Sequence, residues 1–223
     1  MIEIKTVQKS IVEYLRIQIA TGRLKANQKL NENELAAKLG ISRPPIREAF
    51  RILESEHLVY SIPRKGTYVA DVSIEDLHSL SQARKMVEIF AIDFIEANKI
   101  KDLSQLQLAL EEASDLALPT NENPEELLHW YNVFFNFHKK LVELVNNSWI
   151  TDFYKIIASN LTRYRTLYML VPSSLPHSIR DHREIFNSIK RGDYNKAKST
   201  LLKHLDYVAE IIQKKILERN PFY

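Results

Sequence analysis

The stretch NENELAAKLGISRPPIREAFRILE, Asn31 to Glu54, decides how this chain is read. It predicts two short helices joined by a tight glycine turn. Asn31 and Glu34 have the spacing of a capping box, in which each residue satisfies an orphan amide at the start of a helix. Leu35 and Leu39 form an apolar stripe, and Gly40 ends the helix because glycine takes a left-handed cap at no steric cost. Ser42 is placed to cap the second helix, and Pro44 and Pro45 fall in its first turn, where a missing N–H does no damage. Ile46, Ala49, Phe50 and Leu53 then make one face, while Arg43, Arg47 and Arg51 repeat at i, i+4 and i+8 on another. A helix that buries one side and presents guanidinium groups from its N-terminal end suits the major groove of DNA. Taken alone, the stretch is also compatible with an ordinary surface helical hairpin.

The flanking segments favour the DNA reading. Thr6 to Ala20 is expected to be helical, with Val7, Ile11, Leu15 (or Tyr14), Gln18 and Ile19 near one face and Gly22 at its end. Leu58 to Ile62 and Thr67 to Val69 are β-branched and aromatic runs on either side of Pro63-Arg64-Lys65-Gly66. That pattern predicts a β-hairpin with Gly66 in the turn conformation and two cations at its tip. Three helices followed by a basic hairpin make a winged helix-turn-helix, assigned to residues 1–72. Its wing tip can reach phosphates or the minor groove.

The chain has 223 residues, 4 glycines and no cysteine. The absence of cysteine excludes disulfides and thiolate metal sites, and the scarcity of glycine argues against a phosphate-cradling loop. No secretory segment and no unbroken apolar span long enough for a bilayer is present, so a cytoplasmic protein with no membrane partner is expected. The net charge of +3 is unevenly divided. Residues 1–73 hold 12 Lys and Arg against 8 Asp and Glu, whereas the remainder is close to neutral. The positive balance thus lies on the segment that carries the helical hairpin.

The segment Lys25 to Val69, with its L-x-E-x-x-L-A-x-x-L-G-I-S-R-x-P-I-R-E-A-x-R-x-L pattern and R-K-G-T-Y-V wing, resembles the N-terminal domain of GntR-family transcription regulators. The resemblance implies that Arg43, Arg47, and Lys65 with Gly66 contact operator DNA, and that Ser42 contacts a phosphate. Pro44 departs from the small hydroxyl residue usual there, which implies a base preference of the chain's own.

From Ser73-Ile-Glu-Asp76, a second capping box, only helical periodicity follows. Helices are expected at about 74–98, 103–116, 124–145, 150–170, 179–191 and 194–218, forming one all-α bundle over residues 73–223. The S-I-E-D-L start, the Phe137-His138 pair, the D-H-R-E-I segment and the terminal L-K-H-L are similar to the FCD effector domain of the FadR subfamily. The fold class expected is therefore mainly α: a winged helix-turn-helix plus an FCD-like helical bundle.

Three of the seven histidines stand on apolar stripes. His138 falls with Phe134, Phe135, Leu141 and Val142; His182 with Ile179, Ile185 and Phe186; His204 with Leu201, Leu205 and Val208. An unpaired imidazole on such a face would cost roughly 1–3 kcal/mol in desolvation. One of them alone would suit a core histidine bonded to a carbonyl or water. Three of them suit a shared role, and three neutral imidazoles suit Zn²⁺ or another borderline divalent ion such as Ni²⁺. The FCD resemblance implies a metal held by these three histidines and an Asp one turn before the first. That position is Phe134, so the chain holds the ion by three imidazoles with water or effector completing the shell, or holds none. Arg163, Arg165 and Tyr168 lie on a segment expected to line the same cavity. By the same resemblance an arginine there, Arg165 for choice, clamps an effector carboxylate.

The function expected is a ligand-responsive, DNA-binding regulator that is not an enzyme. It would bind a palindromic operator as a homodimer and sense a small carboxylate metabolite in the helical domain. The alternative is a helical metal-dependent hydrolase built on the three histidines, and a third reading is a winged-helix protein adaptor.

Overall fold

The computed structural model describes residues 7–116, 124–164, 167–168, 171 and 174–219. Contacts between residues divide the chain into two compact units, Met1–Val72 and Ser73–Tyr223.

The first unit contains α1 (Val7–Ala20), β1 (Lys29–Leu30), α2 (Glu32–Leu39), α3 (Arg43–Ser55), β2 (Val59–Ile62) and β3 (Gly66–Val69). Asn31 starts α2 by accepting from the Asn33 amide at 2.9 Å. Glu34 does not return to the backbone as a capping box requires; its carboxylate accepts from the Asn31 side-chain amide at 2.9 Å. Gly40 ends α2 at φ 66°, the left-handed cap expected of it. Ser42 stands at the N-cap of α3, yet its hydroxyl makes no capping bond.

Ile46, Ala49, Phe50 and Leu53 are buried on α3 and pack with Ile11, Leu15 and Ile19 of α1 and with Leu58, Val59 and Val69. Burying each large aliphatic or aromatic side chain contributes about 1.5–3 kcal/mol, so this face fixes which side of α3 is left for solvent. Val7, expected on the inner face of α1, is exposed, and Val12 takes the buried place. The three strands form an antiparallel sheet in the order β1-β3-β2. β1, two residues long, pairs Lys29 with Tyr68 and Leu30 with Thr67. In the wing, Ile62 faces Gly66, and the Ile62 carbonyl accepts from the Lys65 amide at 3.0 Å. The turn strain is shared: Arg64 has φ 63° and Gly66 φ 116°.

The second unit contains α4 (Ile74–Asn98), α5 (Ser104–Asp115), α6 (Pro124–Glu143), α7 (Ser148–Leu161), α8 (Ser174–Arg191) and α9 (Tyr194–Arg219). Among the described residues it holds no strand. Ser73 caps α4 through the Asp76 amide at 3.0 Å. The Asp76 carboxylate turns instead to Arg163 at 2.6 Å and the Tyr164 hydroxyl at 2.8 Å. α7 ends at Leu161, short of the expected 170, and α8 begins at Ser174, ahead of the expected 179. Pro176 hides that start in the sequence, since proline is tolerated in a first helical turn but reads as a breaker. The core draws Ile92 and Ile95 from α4, Phe137 and Leu141 from α6, Ile185 and Phe186 from α8, and Leu201 and Leu205 from α9. These helices carry the three histidines inward.

Candidate functional site

Two sites emerge, one in each unit. In the first, α3 presents Arg43, Arg47 and Arg51 with side chains 54%, 53% and 74% exposed. The Glu32 carboxylate, at the start of α2, lies 3.5 Å from Arg43 Nε and 3.7 Å from Arg47 Nε. Arg51 pairs with Glu48 at 2.7 Å. Exposed pairs of this kind contribute about 0–1 kcal/mol, so a phosphate or a base edge can replace the carboxylates. A cleft of about 600 Å³ runs between the start of α3 and the wing, lined by Lys29, Asn33, Arg43, Ser61, Arg64 and Lys65. Of the residues expected to contact DNA, Arg43, Lys65 and Gly66 line this cleft, while Ser42, Arg47 and Arg51 are not among its lining residues; Lys29, which β1 delivers to the cleft, was not expected.

In the second unit α6, α8 and α9 bring His138, His182 and His204 together, with one donor nitrogen from each within 4.8 Å of the others. They are 3%, 1% and 2% exposed. His182 Nε2 lies 2.9 Å from His138 Nε2 and 3.3 Å from His204 Nε2. Nitrogens gathered around one ion at about 2.1 Å are separated by roughly 3.0–3.4 Å; the two His182 separations lie close to that range and the whole set lies within 4.8 Å, so the imidazoles are placed to close on a borderline divalent cation. Burial keeps the imidazoles neutral. His138 is pushed down to about 3 by desolvation and then by Arg84. His182 and His204 are lowered chiefly by burial as well. Phe134 packs against Trp130 and Leu175 and brings no ligand.

Behind the imidazoles lies a charged layer that sequence reasoning missed. Glu88, 0% exposed, accepts from Arg84 Nε at 2.6 Å, from Tyr154 Oη at 2.6 Å and from His138 Nδ1 at 2.8 Å. Burial disfavours its charge, yet Arg84 and then His138 hold it well below the usual carboxylate range. On the far side, Asp181 Oδ2 is 3.4 Å from His204 Nδ1 and 3.0 Å from His177 Nε2. A small cavity of about 50 Å³ adjoins the histidines and is lined by Arg84, Tyr131, Phe134, Tyr168 and Ser178.

Residues 7–69 match the model of bacterial regulatory proteins of the gntR family, and residues 79–207 match the FCD domain. The chain belongs to the GntR family. It is a DNA-binding transcription regulator with an FCD effector domain. The HTH-type transcriptional regulator YdhC of Bacillus subtilis (strain 168) is 27% identical over 208 residues, covering 92% of this chain and 90% of the relative. The HTH-type transcriptional repressor RspR of Escherichia coli (strain K12) is 22% identical over 225 residues, covering 97% and 93%. A GntR regulator from Rhodococcus sp. RHA1 shares the fold with a TM-score of 0.72 at 24% identity, covering 92% of this chain and 97% of its own.

Membership settles the class of function. Families and relatives are transcriptional regulators, so the hydrolase and adaptor readings are set aside. No helix among the described residues is long and apolar enough to cross a membrane. The expected effector residues divide. Tyr168 lines the cavity, its hydroxyl bonded to the Ser174 carbonyl at 3.0 Å and to Ser178 Oγ at 2.8 Å. Arg163 corrects the expectation: it is engaged with Asp76 and Asn160 and is not among the cavity's lining residues, because the turn after α7 carries it to the start of α4. Arg165 lies outside the described residues. Among the described residues, the buried cation at the cavity is Arg84. Its signal was present in the sequence, since Arg84 and Glu88 fall on the stripe Leu77, Val87, Ala91, Ile92 and Ile95.

Proposed function

We propose that this regulator is a cytoplasmic, ligand-responsive homodimer that binds a palindromic operator and acts as a repressor. The observation that carries the reading is the pairing, in one chain, of an arginine-faced winged helix with a buried three-imidazole centre. Arg43, Arg47 and Arg51 read one half-site, with Ser42 on a phosphate and Lys65 and Gly66 at the flanking backbone. The free Ser42 hydroxyl and the exposure of all three arginines support these roles.

His138, His182 and His204 hold a divalent ion, Zn²⁺ or Ni²⁺, which supplies a positive anchor for an effector oxygen when bound. A small carboxylate effector sits beside it. Arg84 offers the cation and Tyr168 a hydroxyl kept protonated by burial. Arg165 belongs to the same proposal, whereas Arg163 is committed to Asp76.

Dimerisation is assigned to the helical unit. α4 exposes Met86 at 63% and Phe90 at 45%, and α7 exposes Trp149 at 86% and Phe153 at 43%. Apolar side chains at such spacing on two helices that touch through Val87 and Tyr154 suit a self-complementary two-fold interface. A dimer of this kind matches a palindrome. Repression is supported by the name of the relative RspR.

The test is titration of the full chain against a palindromic duplex chosen by in vitro selection. Arg47→Ala is expected to weaken specific binding by about ten- to a hundred-fold, the range of one good base contact. Specific affinity that survives the substitution overturns the proposed readout. Metal analysis of the purified chain, with His182→Gln as control, checks the ion.

A further inference from the structure

We infer that Glu88 is the positioning carboxylate of the histidine centre, fixing His138 as its Nδ1–H tautomer, with Asp181 as a weaker counterpart behind His204. The inference rests on the proposed metal site for its consequence, and on hydrogen-bond chemistry for the tautomers.

An ionised carboxylate only accepts, so the 2.8 Å contact requires the proton of His138 on Nδ1. Its Nε2 is then bare and 2.9 Å from His182 Nε2. Asp181 stands behind His204 Nδ1 at 3.4 Å, without hydrogen-bond geometry, and shares its carboxylate with His177. It favours the same tautomer with less hold.

His182 must then differ. Its Nε2 is 2.9 Å from His138 Nε2 and 3.3 Å from His204 Nε2, and three bare lone pairs facing one another would repel. When no ion is bound, His182 is expected to carry its proton on Nε2 and donate it into the cluster. Its Nδ1 is buried without a hydrogen-bond partner, and its ring stacks on Phe137 at 4.4 Å. To ligate through Nε2, His182 has to relocate that proton to Nδ1, which meets no acceptor among the described residues. Two ligands are thus preset and one is not.

The arrangement also places charge. One turn before His138 the side chain is Phe134, and among the described residues no carboxylate joins the donor nitrogens. Glu88, fully buried on α4, stands one imidazole further out and is itself held by Arg84 and Tyr154. Carboxylates in that position raise ligand basicity and lock the ring.

Long-range ¹H–¹⁵N NMR of the metal-free chain with labelled histidine tests the tautomers directly. His138 and His204 are expected as Nδ1–H and His182 as Nε2–H, each assigned with a single His→Gln variant. An Nε2–H tautomer at His138 overturns the inference. Zn²⁺ competition against a chromogenic chelator tests the consequence. Glu88→Gln is expected to weaken Zn²⁺ binding by about ten- to a hundred-fold, and Asp181→Asn by less. The double variant Arg84→Gln/Glu88→Gln, which strands no buried cation, should show the same loss if the single variant fails to fold. Unchanged Zn²⁺ affinity in the folded variants overturns the positioning role. A wild-type chain that takes up neither Zn²⁺ nor Ni²⁺ overturns the metal reading instead, and the NMR result then decides the tautomers alone.

Discussion

The arginine face of α3 and the histidine centre of the helical unit are both clusters of nitrogen groups, yet they are built by opposite rules. Arg43, Arg47 and Arg51 keep more than half of each side chain in water, and their carboxylate neighbours Glu32 and Glu48 are themselves partly exposed. His138, His182 and His204 are almost wholly buried, and two of the three have a carboxylate behind them. A solvated cation can await a partner from outside at little cost, whereas a buried polar group has to be satisfied from within. The exposed cluster can therefore be specified by one helix, and the buried one requires several.

The largest expected effect sharpens that contrast through pH. The three imidazoles are neutral in the folded chain and bind protons when unfolded, near the usual histidine value of about 6.5. Their folded pKa values are depressed, so the stability they contribute is present above about 6.5 and lost as pH falls below it; for His138, whose folded value is about 3, the loss runs at about 1.4 kcal/mol per pH unit, and His182 and His204 act in the same direction. The metal-free helical unit should lose stability between about pH 6.5 and 4.5. Both tryptophans, Trp130 and Trp149, lie in that unit, so tryptophan fluorescence in urea reports on it alone. A midpoint that does not move with pH would break the contrast.

Next in size is Glu88→Ala, which leaves Arg84 as a buried cation without its carboxylate. It should destabilise the helical unit by about 3–5 kcal/mol, whereas Glu32→Ala at the arginine face should stay within about 1 kcal/mol. Denaturant melts of the two variants make the comparison. Equal losses would show that burial is not what separates the sites.

Arg47→Ala should remove about 1–3 kcal/mol of specific operator affinity while leaving metal content unchanged. His182→Gln should do the reverse in the absence of effector. Operator titration and elemental analysis of both variants test whether the two clusters are chemically independent. The smallest effect is expected at the wing. Gly66 has φ 116°, and an added Cβ would meet Lys29 Cε at 3.0 Å. Gly66→Ala should cost on the order of 1 kcal/mol of thermal stability and lower DNA affinity only a few-fold.

Legibility followed the same division. The α2–turn–α3 stretch could be read because caps, glycine turn and apolar spacing are local signals, and Gly40 and the buried face of α3 match that reading. β1 escaped because two residues carry no periodicity, and only pairing with β3 makes them a strand. The inward stripes of α6, α8 and α9 marked His138, His182 and His204 as candidates. Arg84 and Glu88 were overlooked because an i, i+4 ion pair usually lies on a solvated face. Arg163 was misplaced because periodicity ran α7 on to residue 170, whereas the helix stops at Leu161 and the turn diverts the guanidinium to Asp76.

By itself the sequence determined the winged helix, the helical domain, the family and the exposed arginine face of α3, since each depends on neighbours within a few turns of chain. Tertiary structure alone decided that Glu88 faces His138 across 50 residues, that Asp181 stands behind His204, and that Arg84 rather than Arg163 lines the cavity. Those outcomes depend on which helix faces pack together, and a buried charge takes its partner from whatever that packing brings within reach.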